Sequence, residues 1–198
     1  MHSYRRRKGE IMRAVPHPAE GSTVTIEPLR SLEDVARVKA VLTNPKDLAL
    51  FVLGVNTNLR ASDLLALRGE QIDWMAGTLT LRESKTGKKR TIPLGPRVME
   101  VLYPLATDGL LFPSNKSGGP LTMSAWNGKM KLWCSRAGIK GNFGARTIRK
   151  TWAYLQFTVF GAPIEALSAE LGHTSLRDTY RYIALPAPET ARIFANFI

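Results

Sequence analysis

Arg60, Lys85, Arg146, Arg149 and His173 stand on four separated segments, each beside an expected helix end or turn. Arg60 falls just ahead of a short helix, Lys85 at a hairpin, and His173 directly after a helix, while Arg146 and Arg149 sit one helical turn apart on one face. That inventory suits chemistry at a phosphodiester. Guanidinium forks hold the two non-bridging oxygens, whose charge rises in the pentavalent transition state, and a proton donor serves the leaving oxygen. The missing part is a hydroxyl nucleophile, and the stretch "LGHTSLRDTYRYI" offers Tyr180 and Tyr182. Taken singly, each residue has an ordinary reading. Arg60 and Arg149 read as surface ion-pair partners of Asp63 or Glu170, Lys85 as a solvated turn residue, and His173 as a C-terminal helix cap.

Positioning these groups falls to a mostly helical chain with one small antiparallel β-sheet. "LRSLEDVARVKAVL" reads as a helix capped by Ser31 with Asp34 three residues on, and "TNPKDLALFVLGVNTN" as a second, capped by Asn44 with Pro45 at its first position. "ASDLLAL" is a short third helix. "QIDWMAGTLTLRESKTGKKRTIPL" then switches to strand alternation around a Thr-Gly turn with a basic tip. Helices resume with "PRVMEVLYPLA" and "TMSAWNGKMKLWCSRAG", where Met123, Trp126, Met130, Trp133 and Ala137 form one stripe ended by Gly138. "ARTIRKTWAYLQFTVF", "PIEALSAEL" between Pro163 and Gly172, and an amphipathic "PETARIFANFI" complete the order. Residues 1–24, with Arg5, Arg6, Arg7, Lys8 and Arg13, read as a solvated basic tail outside the core.

The 198 residues carry 28 lysines and arginines against 16 acidic residues, a net +12, which favours a polyanionic partner. Nucleic acid comes first and an anionic membrane surface second. No apolar run reaches the roughly 18 to 20 residues that span a bilayer, and the basic start is followed by no signal-like apolar stretch, so a cytoplasmic, nucleoid-associated protein is expected. The histidines, His2, His17 and His173, are scattered, and no Cys-x-x-Cys, His-x-x-x-His or phosphate-binding Gly-x-x-x-x-Gly-Lys loop occurs, so no metal or cofactor is expected. Cys134, the single cysteine, reads as a reduced core thiol.

The ordered segments "TNLRASDLLALR", "LTLRESKTGKKRTIPL", "ARTIRKT" and "LGHTSLRDTYRYI" resemble the successive boxes of the tyrosine recombinases, the family of the phage integrases, Xer and Cre. The likeness runs from about residue 30 to 185. It implies that residues 25–198 form a catalytic domain, including a C-terminal helix at 187–198, that makes and breaks DNA strands through a 3′-phosphotyrosyl link without metal. By the same resemblance Arg60 and Arg149 are the two catalytic arginines, Asp63 buttresses the first, Lys85 protonates the leaving 5′ oxygen, His173 hydrogen-bonds the phosphate and Tyr182 is the nucleophile. Tyr180 falls two residues short of the family spacing and reads as a packing aromatic. Lys88, Lys89 and Arg90 read as nonspecific phosphate contacts, with plain solubility as the rival.

One box departs from the family. Where His-x-x-Arg is usual, this chain has Arg146-Thr147-Ile148-Arg149, and a guanidinium with a pKa above about 12 is a poor acceptor for the tyrosine proton. Arg146 then serves the phosphorane or the tyrosine electrostatically, with water or a phosphate oxygen taking the proton. Two other functions stay open: a silent DNA-binding relative that regulates recombination, and a topoisomerase-like relaxation of DNA. The resemblance also implies double-stranded DNA as partner, self-assembly on it up to a tetrameric synapse, and a clamp domain ahead of the boxes. Only the tail precedes them, which fits a minimal recombinase or a chain parted from its clamp, and leaves room for an accessory protein. The apolar Ile193, Phe194, Phe197 and Ile198 are expected to dock on a neighbouring protomer.

Overall fold

A computed structural model describes residues 25–185, so the expected basic tail, the expected helix at 187–198 and its expected docking on a neighbouring protomer fall outside the described residues. Helices begin where the sequence supplies caps. Ser31 accepts a hydrogen bond from the Asp34 amide and opens α1 (Leu32–Ala40). Asn44 accepts from the Lys46 and Asp47 amides and opens α2 (Pro45–Thr57), where the missing N–H of Pro45 is no loss. Helix α2 stops at Asn58, whose backbone is left-handed (φ 53°), and α3 (Ala61–Leu65) starts from Arg60 as its N-cap.

A three-stranded antiparallel sheet follows in the order β1 (Ile72–Asp73), β2 (Thr78–Arg82), β3 (Lys89–Pro93). Its register opposes Leu79 to Ile92 and Leu81 to Arg90. Directly opposed side chains share a face, so Arg90 points inward with buried Leu79, Leu81 and Ile92, while Lys89 points outward. Beyond the sheet come α4 (Pro96–Leu102), α5 (Met123–Arg136), α6 (Thr147–Thr158), α7 (Ile164–Leu171) and α8 (Leu176–Tyr182).

Two sequence expectations change. The tyrosine-bearing stretch, expected as no element, is helix α8, and its start signal was present: Ser175 accepts from the Asp178 amide, with an acid in the first turn and Arg181 in the last. The α5 stripe is shorter than expected. Trp126, Met130 and Trp133 are buried, but Met123 is 46% exposed and Ala137 is only half-buried, because these two end positions reach past the helices that cover the middle.

The core centres on edge-to-face aromatic rings, Phe51 against Trp133 at 6.2 Å and Trp126 against Trp133 at 5.5 Å between centroids. Beside them burial pushes the Cys134 thiol up to about 12, which leaves it an inert packing group, as the sequence suggested. Helix α2 packs on α6 through Gly54, where a Cβ would stand 2.5 Å from Ile148 Cγ2. A glycine inside a helix costs about 1 kcal/mol relative to alanine, and here it allows the close approach that brings the first turn of α6 up to the end of α2.

Candidate active site

A cleft of about 530 Å³ is lined by Arg60, Lys85, Arg146, Arg149, His173 and Tyr182, which come from five separate stretches of backbone. The six residues that the sequence singled out for chemistry therefore converge on one space. Met123 stands at its rim, where the shortened α5 stripe leaves it.

Arg60 is held from below by carboxylates. Its Nη1 donates to Glu83 Oε2 at 2.8 Å and lies 3.9 Å from Asp63 Oδ2. Asp63 is buried and accepts from the Ser84 amide at 2.9 Å, so it ties α3 to the base of the hairpin as well as facing Arg60. Glu83 also accepts from the Thr86 hydroxyl at 2.8 Å and lies 3.5 Å from Arg90 Nη1. Burial raises the Glu83 carboxyl, but the hydrogen bonds from Arg60 and Thr86 and the charges of Arg60 and Arg90 outweigh it, so the group ends below its ordinary value.

Arg149 projects from the first turn of α6 and is oriented by neutral acceptors. Its Nε donates to Asn58 Oδ1 at 2.9 Å and its Nη2 to the Leu171 carbonyl at 3.1 Å. The surface pairing with Glu170 that the sequence allowed is made instead by Arg90, at 2.6 Å. Burial lowers the Arg149 pKa, with the nearby Tyr182 acting the other way, and the guanidinium remains a cation. The start of α6 breaks a local rule. Arg146, Arg149 and Lys150 crowd the positive end of the helix with no acid in the first turn. Such a cluster is stabilised by an anion, which helix dipole and side chains would attract together.

His173 owes its place to the end of α7. Gly172, left-handed at φ 71°, donates its N–H to the Ala169 carbonyl, and the His173 N–H donates to the Ser168 carbonyl, a Schellman closure that turns the imidazole back toward α6. His173 Nδ1 lies 3.0 Å from the hydroxyl of buried Thr179, and its ring meets the Tyr182 ring edge-on at 5.2 Å between centroids. Burial and the charge of Arg149 lower the His173 pKa against the opposing pull of Asp178. Tyr182, in the last turn of α8, also has Lys150 Nζ over its ring at 5.3 Å. Burial pushes its phenol up, and Arg149, Arg146 and Arg60 offset this only in part, so the hydroxyl is protonated at neutral pH. Tyr180 packs away from the cleft, edge-on to Phe157 at 5.8 Å, in the packing role expected of it.

The hairpin tip differs in kind. Lys85, Lys88 and Lys89 are exposed, Lys85 on a turn that overhangs the cleft. Arg90, expected to share a phosphate-contact role with them, is turned inward by the strand register and engaged with Glu83 and Glu170. Among the described residues no group of three or more His, Cys, Asp or Glu side chains is placed to hold a metal ion, and no helix is long and apolar enough to cross a membrane. Asn58, Glu83, Lys150 and Thr179 escaped the sequence reading. Their only sequence-level signals are weak, such as an asparagine ending a helix two residues before Arg60.

Residues 32–188 match the model of the phage integrase family. The chain belongs to that family. Among integrase-family relatives it is 30% identical over 178 residues to a probable integrase/recombinase, YoeC of Bacillus subtilis, covering 87% of this chain and 97% of that one. It is 30% identical over 149 residues to the tyrosine recombinase XerD of Shewanella oneidensis, covering 69% of this chain and 48% of that one. This integrase-family chain thus spans nearly all of the first relative and about half of the second. In fold it is similar to the XerH site-specific recombinase solved bound to its difH substrate, with a TM-score of 0.67 at 18% identity, covering 88% of this chain and 55% of that one. The fold is that of a tyrosine recombinase catalytic domain.

Proposed function

We propose that the chain is a site-specific DNA strand transferase whose nucleophile is Tyr182 and whose catalytic unit comprises residues 25–198. The observation that carries this is the convergence of three guanidiniums, a lysine, a histidine and a half-buried tyrosine on one cleft. The Tyr182 oxygen attacks the scissile phosphorus as the P–O5′ bond breaks. Arg60 and Arg149 hold the two non-bridging oxygens, and Arg146 adds charge as the pentavalent state forms. Lys85 donates a proton to the departing 5′ oxygen, which lets the tyrosyl phosphodiester store the bond energy for a later attack by another 5′-hydroxyl. The arginines supply the charge neutralisation of phosphoryl transfer, so the reading needs no metal. Exchange between two duplexes requires more than one such tyrosine, so copies of the chain assemble on DNA.

A duplex nicked close to the cleavage position, built from candidate recombination sites, tests this. The native protein is expected to form a covalent adduct without magnesium, and Tyr182→Phe none. Absence of adduct across all such duplexes, or an undiminished adduct with Tyr182→Phe, defeats the reading.

A further inference from the structure

With arginine at position 146, the cleft needs another acceptor for the tyrosine proton. A guanidinium does not accept it, and Lys150 meets the face of the Tyr182 ring from outside the cleft lining. The geometry points to His173 Nε2 as the base that takes the Tyr182 proton. This assignment rests on the recombinase reading and gives the imidazole a role in attack before any role as phosphate ligand.

The chemistry of the imidazole depends on which ring nitrogen bears hydrogen. The Thr179 hydroxyl, on fully buried Thr179, has two neighbours: the Ser175 carbonyl at 3.5 Å, which can only accept, and His173 Nδ1 at 3.0 Å. A hydroxyl carries one proton and can accept others. With its proton directed to the Ser175 carbonyl, the neighbour that can only accept, the Thr179 oxygen accepts from His173 Nδ1–H. A neutral imidazole protonated at Nδ1 has a bare Nε2, which can accept a proton but cannot donate to a phosphate. Burial and Arg149 of α6 oppose charge on the ring, while Asp178 of α8 favours it, and the net effect is a lowered pKa. Tyr182 of α8 is in ring contact, and Arg60, Lys85 and Arg146 face the same cleft.

The step balances. As the bond from the Tyr182 oxygen to phosphorus forms, its proton passes to His173 Nε2; as the P–O5′ bond breaks, Lys85 supplies the proton to O5′. The imidazolium then has an Nε2–H to donate to a phosphoryl oxygen. On rejoining, the incoming 5′-hydroxyl returns its proton to Lys85 and Nε2 returns its own to Tyr182. Thr179 is a positioning residue that selects the tautomer.

Two measurements test this separately from the recombinase reading. In ¹⁵N-labelled full-length protein without DNA, with only three histidines to resolve, His173 is expected at neutral pH as the Nδ1–H tautomer. In Thr179→Val that preference is lost, and Thr179→Ser restores it. An Nε2–H tautomer, or an imidazolium, in the native protein overturns the base assignment whatever the protein does to DNA. In single-turnover cleavage, His173→Gln retains a donor for phosphate but has no base, so its rate is expected to fall about 100-fold or more. The remaining rate should climb with pH where the native rate is flat. A variant within a few-fold of native, with the native pH profile, overturns the assignment. Absence of adduct in the native protein overturns the recombinase reading itself.

Discussion

The two walls of the cleft are built differently. On one, Arg149, His173 and Tyr182 emerge half-buried from α6, the α7 terminus and α8, Arg149 held by Asn58 and the Leu171 carbonyl, His173 by Thr179, and Tyr182 packed against the His173 ring. On the other, Lys85 rides an exposed turn between β2 and β3, tethered at its base through Glu83 to Arg60 and Arg90. On the proposed mechanism, the attacking tyrosine and the cation that receives the phosphate are organised before DNA arrives. Lys85, the proposed proton donor for the leaving oxygen, sits on the side open to solvent, where a bound duplex would orient it. On that mechanism, separating the attacking wall from the releasing wall lets one be rigid while the other follows the strand.

The contrast can be broken from its rigid side first. Arg149→Lys keeps the charge but loses the Nε–Asn58 bond and the fork, and single-turnover cleavage should fall about 10²- to 10³-fold with thermal unfolding little changed. Lys85→Ala should cost roughly 100-fold in cleavage, and the loss should vanish with a substrate whose bridging 5′ oxygen is sulfur, a leaving group that needs no proton. A persistent defect on the sulfur substrate would place Lys85 in binding rather than proton transfer.

Asn58→Gly acts on the anchor of Arg149 alone among the cleft cations. It preserves the left-handed backbone that asparagine already tolerates and deletes two side-chain hydrogen bonds, one from Arg149 and one to the Glu170 carbonyl. Cleavage should drop about 10-fold and stability by about 1–2 kcal/mol, read by denaturant titration. The smallest effect concerns Glu83. Its folded pKa lies below the ordinary 4.5, so its contribution to stability is present above that value and is lost as pH falls through the lower, folded one. The stability gap between native protein and Glu83→Gln, measured by unfolding across acidic pH, should close there, while an unchanged gap would show that the tether is not ionic.

Much of this was legible in the chain because it is local. Caps at Ser31 and Asn44, the glycine stop at Gly172 and the alternation of the hairpin are short-range signals, and the chemically distinctive Arg60, Arg149, His173 and Tyr182 stood beside them. The partners of those residues were not legible. Asn58 and Arg149 are 91 residues apart, and Arg60 and Glu83 are 23 apart, distances over which no periodicity carries information. The inward setting of Arg90 was hidden for a related reason: a basic run looks uniform in sequence, whereas strand pleating sends alternate members to opposite faces. Helix α8 was missed although Ser175 and Asp178 announced it, because a threonine and two tyrosines weigh against a seven-residue helix.

Gly54 gives the architecture a ruler. The interval between the end of α2, which leads into Arg60, and the start of α6, which carries Arg149, is set where a single hydrogen faces Ile148. On the proposed mechanism a phosphate held between the two guanidiniums presents oxygens at a fixed spacing, so the jaws that grip it must be gauged to that span. A methyl at this hinge would act as a shim, widening the bite without touching any group that meets DNA.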